Sequence, residues 1–187
     1  MRIISGTARG TKLYSLEGMN TRPTLDRVKE ALFNMINFRL QDANVLDLFA
    51  GSGAIGLEAI SRGANKVFFC DKSREAINVI NKNIEKTRFN EKSVVLNEDF
   101  LKVLEKLKQK GEEFDLIFLD PPYETDYIKK SIEAILKNNL LKEDGLLIAE
   151  TDEEDRIMKE IKDFENINVE DIRKYGRVYL IFINRKG

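Results

Sequence analysis

The sequence predicts a three-layer, doubly wound α/β fold with a mostly parallel sheet and a C-terminal antiparallel hairpin. Three observations predict it. Short apolar runs alternate with helical patterns along most of the chain, as in stacked β-α-β units. One of these runs, FDLIFL at 114–119, is almost wholly apolar, which suits a central strand covered on both faces. The last two runs, 169–172 and 178–184, are separated by a short loop at 174–176, which suits a hairpin.

The organising stretch is VLDLFAGSGAIG at 45–56. Val45–Leu48 reads as a buried strand with Asp47 near its carboxyl end. FAGSG follows as a turn, and a helix is expected from about Ala54 to Arg62, closed by Gly63. Strand, glycine turn and helix bring backbone close to a bound cofactor. Gly51 and Gly53 permit positive φ there, and Gly56 permits close helix–sheet packing.

Upstream, Arg2–Ser5 and Lys12–Leu16 are expected to pair as a small hairpin around Gly6–Gly10. Pro23 biases Arg22 toward an extended conformation, and Thr24 suits an N-cap. The helix that follows carries Leu25, Val28, Leu32, Met35 and Ile36 on one face. Lys29 and Arg39 are expected as ordinary surface groups. Downstream, Lys66–Asp71 is a second strand. Ser73 caps a helix with Ile77, Ile80 and Ile84 inward. Ser93–Leu96 is a third strand, and Phe100–Lys110 is a helix stopped by Gly111. After the FDLIFL strand come Asp120-Pro121-Pro122-Tyr123, then a helix from about Asp126 to Leu136. Gly145–Glu150 is a fifth strand and Asp155–Lys162 another helix. We expect residues 1–40 to form an N-terminal extension and 41–187 a single catalytic domain.

Composition excludes several classes. Among 187 residues there is one cysteine and no histidine, so a disulfide framework, histidine acid–base chemistry and a structural zinc site are not expected. No apolar segment approaches a membrane span and no secretory leader is legible, so a cytoplasmic protein is expected. Net charge is only -1, but residues 1–40 hold seven basic and three acidic side chains. That segment is therefore +4 and the remainder -5. A basic end on a mildly acidic body suggests a local anionic partner.

In open parallel sheets, ligands bind beyond the carboxyl ends of the strands. Asp47 with FAGSG, Asp71, Asp99 and DPPY are all expected there. Asp71 ends the second strand 20 residues after Gly51, a position suited to ribose hydroxyls. GSGAIG satisfies G-x-G-x-x-G, which leaves a nicotinamide or flavin enzyme open. However, Asp47 would set negative charge close to a diphosphate, and that reading gives DPPY no role.

DLFAGSGAIG with an acid ending the second strand resembles the binding site of class I S-adenosylmethionine-dependent methyltransferases. DPPY resembles the motif of those that modify exocyclic amines of bases. RIISG at 2–6, NTRPTLDRVKEALFN at 20–34, VLDLFAGSGAIGLEAISRGA at 45–64 and DLIFLDPPY at 115–123 together resemble the RsmD family, bacterial guanine-N2 methyltransferases of 16S ribosomal RNA. The likeness thins toward the C-terminus.

The resemblance implies a Rossmann-like methyltransferase fold and S-adenosylmethionine as cofactor, with S-adenosylhomocysteine as product. Asp47, Ala50, Gly51, Ser52 and Gly53 would surround its methionine part, and Asp71 would hold the ribose. Lys72 or Ser73 would border the adenine. Asp99 would accept from the adenine amine and Phe100 would pack near the ring, a helix cap and a core aromatic being the structural alternatives. Asn20, Arg22, Pro23 and Thr24 would lie over the cofactor pocket. Arg2, Arg9, Lys12, Arg22 and Arg27 would contact RNA phosphates. The partner implied is 16S ribosomal RNA within the small subunit or an assembly intermediate, with no membrane and no obligate protein partner.

Physical chemistry supports the role of Asp120, Pro121, Pro122 and Tyr123. An exocyclic base nitrogen is a poor nucleophile because its lone pair is delocalised into the ring. Two acceptors aimed at its hydrogens, the Asp120 carboxyl and the Pro121 carbonyl, would turn that lone pair toward the methyl group. Prolines have no N–H, so the turn presents carbonyls and stays stiff. Tyr123 offers a face for stacking a base that has left its helix or loop. DPPY does not distinguish guanine from adenine or cytosine amines, so a DNA amino-methyltransferase is the alternative enzyme.

Overall fold

The structure, a computed structural model, describes residues 1–16, 23–122 and 125–186, with residues 23–25 described by backbone alone. Helix α1 (Pro23–Met35) and a 3-10 turn (Asn37–Arg39) precede strand β1 (Asn44–Asp47). Then follow α2 (Ala54–Ser61), β2 (Lys66–Cys70), α3 (Arg74–Thr87), β3 (Ser93–Leu96) and α4 (Phe100–Gln109). The chain continues through β4 (Phe114–Leu119), α5 (Tyr127–Lys137), β5 (Leu141–Thr151), α6 (Glu154–Ile161), β6 (Ile167–Tyr175) and β7 (Val178–Arg185).

The seven strands lie in the order β3-β2-β1-β4-β5-β7-β6. β1 to β5 are parallel, and β7 runs antiparallel to both β5 and β6. The expected fold class is therefore the observed one. Strand order reverses between β1 and β4, so the crevice typical of such sheets opens above the ends of these two strands. Asp47 ends one and Asp120 follows the other.

Alternate side chains of the central strands feed two cores. Val45, Leu116 and Phe118 pack with Val28, Leu32 and Phe33 of α1 and with Leu57 of α2. Leu46, Ile117 and Leu119 pack on the opposite face with Leu104 of α4, Ile132 of α5 and Ile157 of α6. This two-sided burial explains the unbroken apolar run of β4.

Boundaries differ from expectation in a few places. β5 starts at Leu141, because Leu141 pairs with Phe114 before the register shifts to Leu116 opposite Leu146. β6 and β7 extend beyond their apolar centres: β6 carries exposed residues at Asn168, Glu170, Arg173 and Lys174, and β7 has four buried central residues with half-buried ones at both ends. The expected N-terminal hairpin reduces to a single antiparallel bridge, Arg2 with Lys12. Its backbone bonds, such as Ile3 N–H to the Thr11 carbonyl at 3.0 Å, close a compact loop instead of a ladder. Ile3 and Leu13 nevertheless enter the same core as α1 and α2. Among the described residues no helix is long and apolar enough to cross a membrane.

Candidate active site

Above the β1–β4 crevice lies a cavity of about 550 Å³, a volume ordinary for small-molecule sites. Its floor is the glycine turn. Gly51 and Gly53 take φ of +55° and +78°, and Gly53 is the N-cap of α2. Gly56 lies so close to β2 that a Cβ there would sit 2.3 Å from the Phe69 ring.

Acids at the strand ends organise this floor. The Asp47 carboxyl accepts from Gly56 N–H at 3.0 Å and is 3% exposed. The Asp71 carboxyl accepts from Gly51 N–H at 3.0 Å through one oxygen and from Ser73 N–H at 2.9 Å through the other. It thereby ties the glycine turn to the start of α3. Asn97 donates to the Asp71 and Lys72 carbonyls at 3.0 and 3.1 Å. Asp99 caps α4 by accepting from Leu101 N–H at 3.0 Å, and also faces the cavity.

The electrostatics follow from burial. Desolvation, opposed by the Gly56 hydrogen bond and helped by Asp120 and Asp71, pushes Asp47 up to about 7. Desolvation also pushes Asp120 up, to about 6. Asp120 keeps accessible surface on the cavity, so water moderates its shift.

An aromatic group closes one side. Phe49, Phe100 and Tyr127 stand with ring centroids 5.0–6.1 Å apart, the Phe49 and Tyr127 planes within 10° of parallel. The Lys72 ammonium lies 5.8 Å from the Tyr127 centroid.

The N-terminal segment closes the other side, and buried polar side chains hold it. Glu58, fully buried on α2, accepts from Ile4 N–H at 2.8 Å and Ser5 N–H at 3.0 Å. It also pairs with Arg62 at 2.8 Å and Lys29 at 3.3 Å. Lys29 is thus no surface group. It is 4% exposed, donates to the Arg2 carbonyl, and lines the cavity. Burial pulls its ammonium below the usual lysine range, against the raising effect of Glu58. Asn83 of α3, also fully buried, accepts from Tyr14 N–H at 2.7 Å. Its amide donates to the Tyr14 carbonyl at 3.0 Å and to the Ser52 carbonyl at 2.9 Å. One side chain thus joins the N-terminal segment to the glycine turn.

Of the residues singled out in the sequence, Asp47, Ala50, Gly51, Ser52 and Asp71 line the cavity. So do Lys72, Asp99, Phe100, Asp120, Pro121 and Pro122. Gly53 and Ser73 stand behind the lining, Gly53 against Ile80 and Phe69 and Ser73 as the α3 cap, its Oγ accepting from Ala76 N–H at 3.3 Å. Of the two residues expected to border the adenine, Lys72 lines the cavity and Ser73 caps α3 beside it. Arg2, Arg9, Lys12 and Arg27 are exposed and lie outside the lining. Asn20, Arg22 and Tyr123 fall outside the described residues. Pro23 and Thr24 open α1, and their side chains are likewise outside the description.

The family model described as Conserved hypothetical protein 95 matches residues 1–184. The YlbH protein of Bacillus subtilis is 37% identical over 187 residues, all of both chains. Ribosomal RNA small subunit methyltransferase D of Haemophilus influenzae is 39% identical over 155 residues, 82% of this chain and 80% of that one. The solved structure of the Escherichia coli protein yhhF superposes with a TM-score of 0.85 at 32% identity, covering 100% of this chain and 98% of that one.

The chain belongs to the RsmD family of methyltransferases. S-adenosylmethionine is the cofactor expected of it, and a protein of similar fold was solved in complex with SAH. The cavity fits that group on its own evidence. At Gly51 a Cβ would meet nothing within 4 Å, so the turn borders open space. Buried Asp47 suits a cationic ligand, and Asp71 is held by two amides at the rim, where hydroxyls can reach it.

For this RsmD-family chain, sequence reasoning overlooked Phe49, Tyr127, Glu150, Lys29 and Leu180 among the lining residues. Glu150 had a signal, since it ends a predicted strand as Asp71 does. Lys29 had none, because its burial depends on Glu58 from another helix.

Proposed function

We propose that this chain transfers the methyl group of S-adenosylmethionine to the exocyclic N2 of one guanine in 16S ribosomal RNA of the small subunit. The observation that carries the reading is a shared cavity. The Asp120-Pro121-Pro122 turn opens onto the same space as the glycine turn and Asp71. Support for the RNA comes from relatives named ribosomal RNA small subunit methyltransferase D, and from the exposed Arg2, Arg9, Lys12 and Arg27.

The cofactor supplies an electrophilic methyl group on a cationic sulfur. The chain's residues supply position and charge. Pro122's carbonyl is taken by the Thr125 hydroxyl at 2.8 Å. No hydrogen bond among the described residues reaches the Pro121 carbonyl or the Asp120 carboxyl. These two acceptors are therefore available to the two hydrogens of the guanine amine, aligning its lone pair for in-line displacement. Methyl transfer from the cofactor's sulfur, which would keep the electron pair of the broken C–S bond, would leave positive charge on the newly methylated nitrogen. Ionised Asp120 stabilises that charge, and the nitrogen then gives up one proton, to Asp120 or to water. We assign Tyr123 the stacking of the flipped base. The basic residues of the N-terminal segment hold phosphates and fix register without reading bases.

The test is incubation with labelled methyl donor and undermethylated small subunits, followed by nucleoside mass spectrometry. We expect N2-methylguanosine at one position. Label on adenine alone, or on DNA alone, refutes the substrate.

A further inference from the structure

We infer, on the strength of the RNA substrate proposed above, that Tyr14 is a stacking platform for an unpaired base adjacent to the one that enters the cavity. Four observations converge on it. Tyr14 is a large aromatic residue left 51% exposed, on a segment whose neighbours Ile3 and Leu13 are buried. Its backbone is held on both sides by one fully buried side chain: Asn83 takes the Tyr14 N–H at 2.7 Å and gives to the Tyr14 carbonyl at 3.0 Å. The same Asn83 amide bonds the Ser52 carbonyl of the glycine turn at 2.9 Å, so the ring is indexed to the cofactor floor. Finally, the setting is basic. The Lys86 ammonium sits 4.4 Å from the ring centroid, and Lys12, two residues earlier, is exposed.

Position relative to the site follows from the chain. Leu16 lines the cavity, and two extended residues span at most about 7 Å. Tyr14 therefore stands just outside the mouth, where the nucleotides flanking a flipped base must lie. Bases splayed from RNA loops commonly stack on aromatic side chains beside cations. A second exposed aromatic, Phe38, is 77% exposed but lies in the turn leading into β1, at the amino ends of the strands, away from the cavity. There the neighbouring Arg39 bonds the Asp144 carbonyl ahead of the main run of β5. It provides an internal control.

The experiment measures KM for undermethylated small subunits, KM for S-adenosylmethionine, and melting temperature, for the full chain and its variants. Tyr14→Ala should raise KM for the subunit about tenfold, leaving KM for the cofactor and the melting temperature unchanged. Tyr14→Phe should match the parent, because stacking needs the ring and not the hydroxyl. The chain has no tryptophan, so Tyr14→Trp places one reporter at the site, and its fluorescence should be quenched by substrate RNA. Phe38→Ala should leave KM for the subunit unchanged. The inference is overturned if Tyr14→Ala matches the parent, if Tyr14→Phe loses as much as Tyr14→Ala, or if the loss tracks a fall in melting temperature. A parent that methylates no ribosomal RNA overturns the substrate reading instead.

Discussion

The two walls of the cleft are built on opposite plans. On the β1–β2 side, hydrogen bonds hold the acids before any ligand arrives: Asp71 uses both oxygens on backbone amides and Asp47 uses one. On the β4 side, Asp120 and Pro121 present acceptors that no described residue uses, on a turn whose prolines lack N–H groups. The first wall is preorganised by internal satisfaction. No described residue satisfies the second, and desolvation already makes ionised Asp120 costly. The difference teaches where each wall's free energy goes. One stabilises the fold and, on the proposed function, would hold the cofactor; the other would be reserved for a group that carries two hydrogens and gains positive charge.

Breaking the second wall should produce the largest effect. Asp120→Asn should lower methyl transfer at saturating substrates by roughly 10²–10³-fold, with little change in the dissociation constant for S-adenosylhomocysteine measured calorimetrically. Equal loss of cofactor affinity would erase the contrast. Breaking the first wall should do the reverse. Asp71→Ala leaves the amides of Gly51 and Ser73 without their acceptor. It should weaken S-adenosylhomocysteine binding by about tenfold or more and cost about 1–3 kcal/mol of stability, read from calorimetry and denaturant unfolding.

The N-terminal closure offers a milder probe. Gly6 has φ of +82°, and a Cβ there would lie 1.7 Å from the Ser61 carbonyl oxygen. Gly6→Ala should therefore lower the melting temperature by several degrees and raise KM for RNA more than KM for cofactor.

The smallest expected effect sharpens the comparison within the first wall. Asp47 is raised from 3.8 to about 7 in the fold. The native state thus binds the proton more tightly than the unfolded chain. Its contribution to stability is fully present below about pH 4 and is lost as pH rises to about 7. Asp47→Asn keeps an acceptor for Gly56 N–H and removes that titration. Its melting temperature should match the parent most closely below about pH 4 and exceed it by a few degrees at pH 8. Binding of the cationic cofactor should move the other way, weakened in the variant most at pH 8. A parallel pH dependence of both curves would rule out Asp47 as the titrating group.

Much of this was legible in the residues. The alternation of apolar runs located every strand, because burial on both faces of a parallel sheet leaves a period that local sequence records. FAGSG, the acids at strand ends and Asp120-Pro121-Pro122 marked the edge where the cavity lies, because tight turns and missing N–H groups restrict residue choice. Other features left no local trace. Lys29 looks like any helical lysine until Glu58 is brought against it. Asn83 looks like a polar residue on the outer face of a helix, yet it is fully buried and bonds two segments 31 and 69 residues away. Phe49 and Tyr127, far apart in sequence, stack against each other at one side of the cavity.

By itself, then, the order of residues determined the layers, the strand ends and the turns that face the cavity. Those are consequences of periodicity, backbone freedom and missing donors, all properties of neighbours along the chain. Only tertiary structure decided the strand order that puts β1 beside β4, the closure of the cavity by the N-terminal segment, and the partners of Lys29, Glu58 and Asn83. Those depend on which buried polar groups meet, and a buried group's partner is chosen by packing between distant segments, not by sequence spacing.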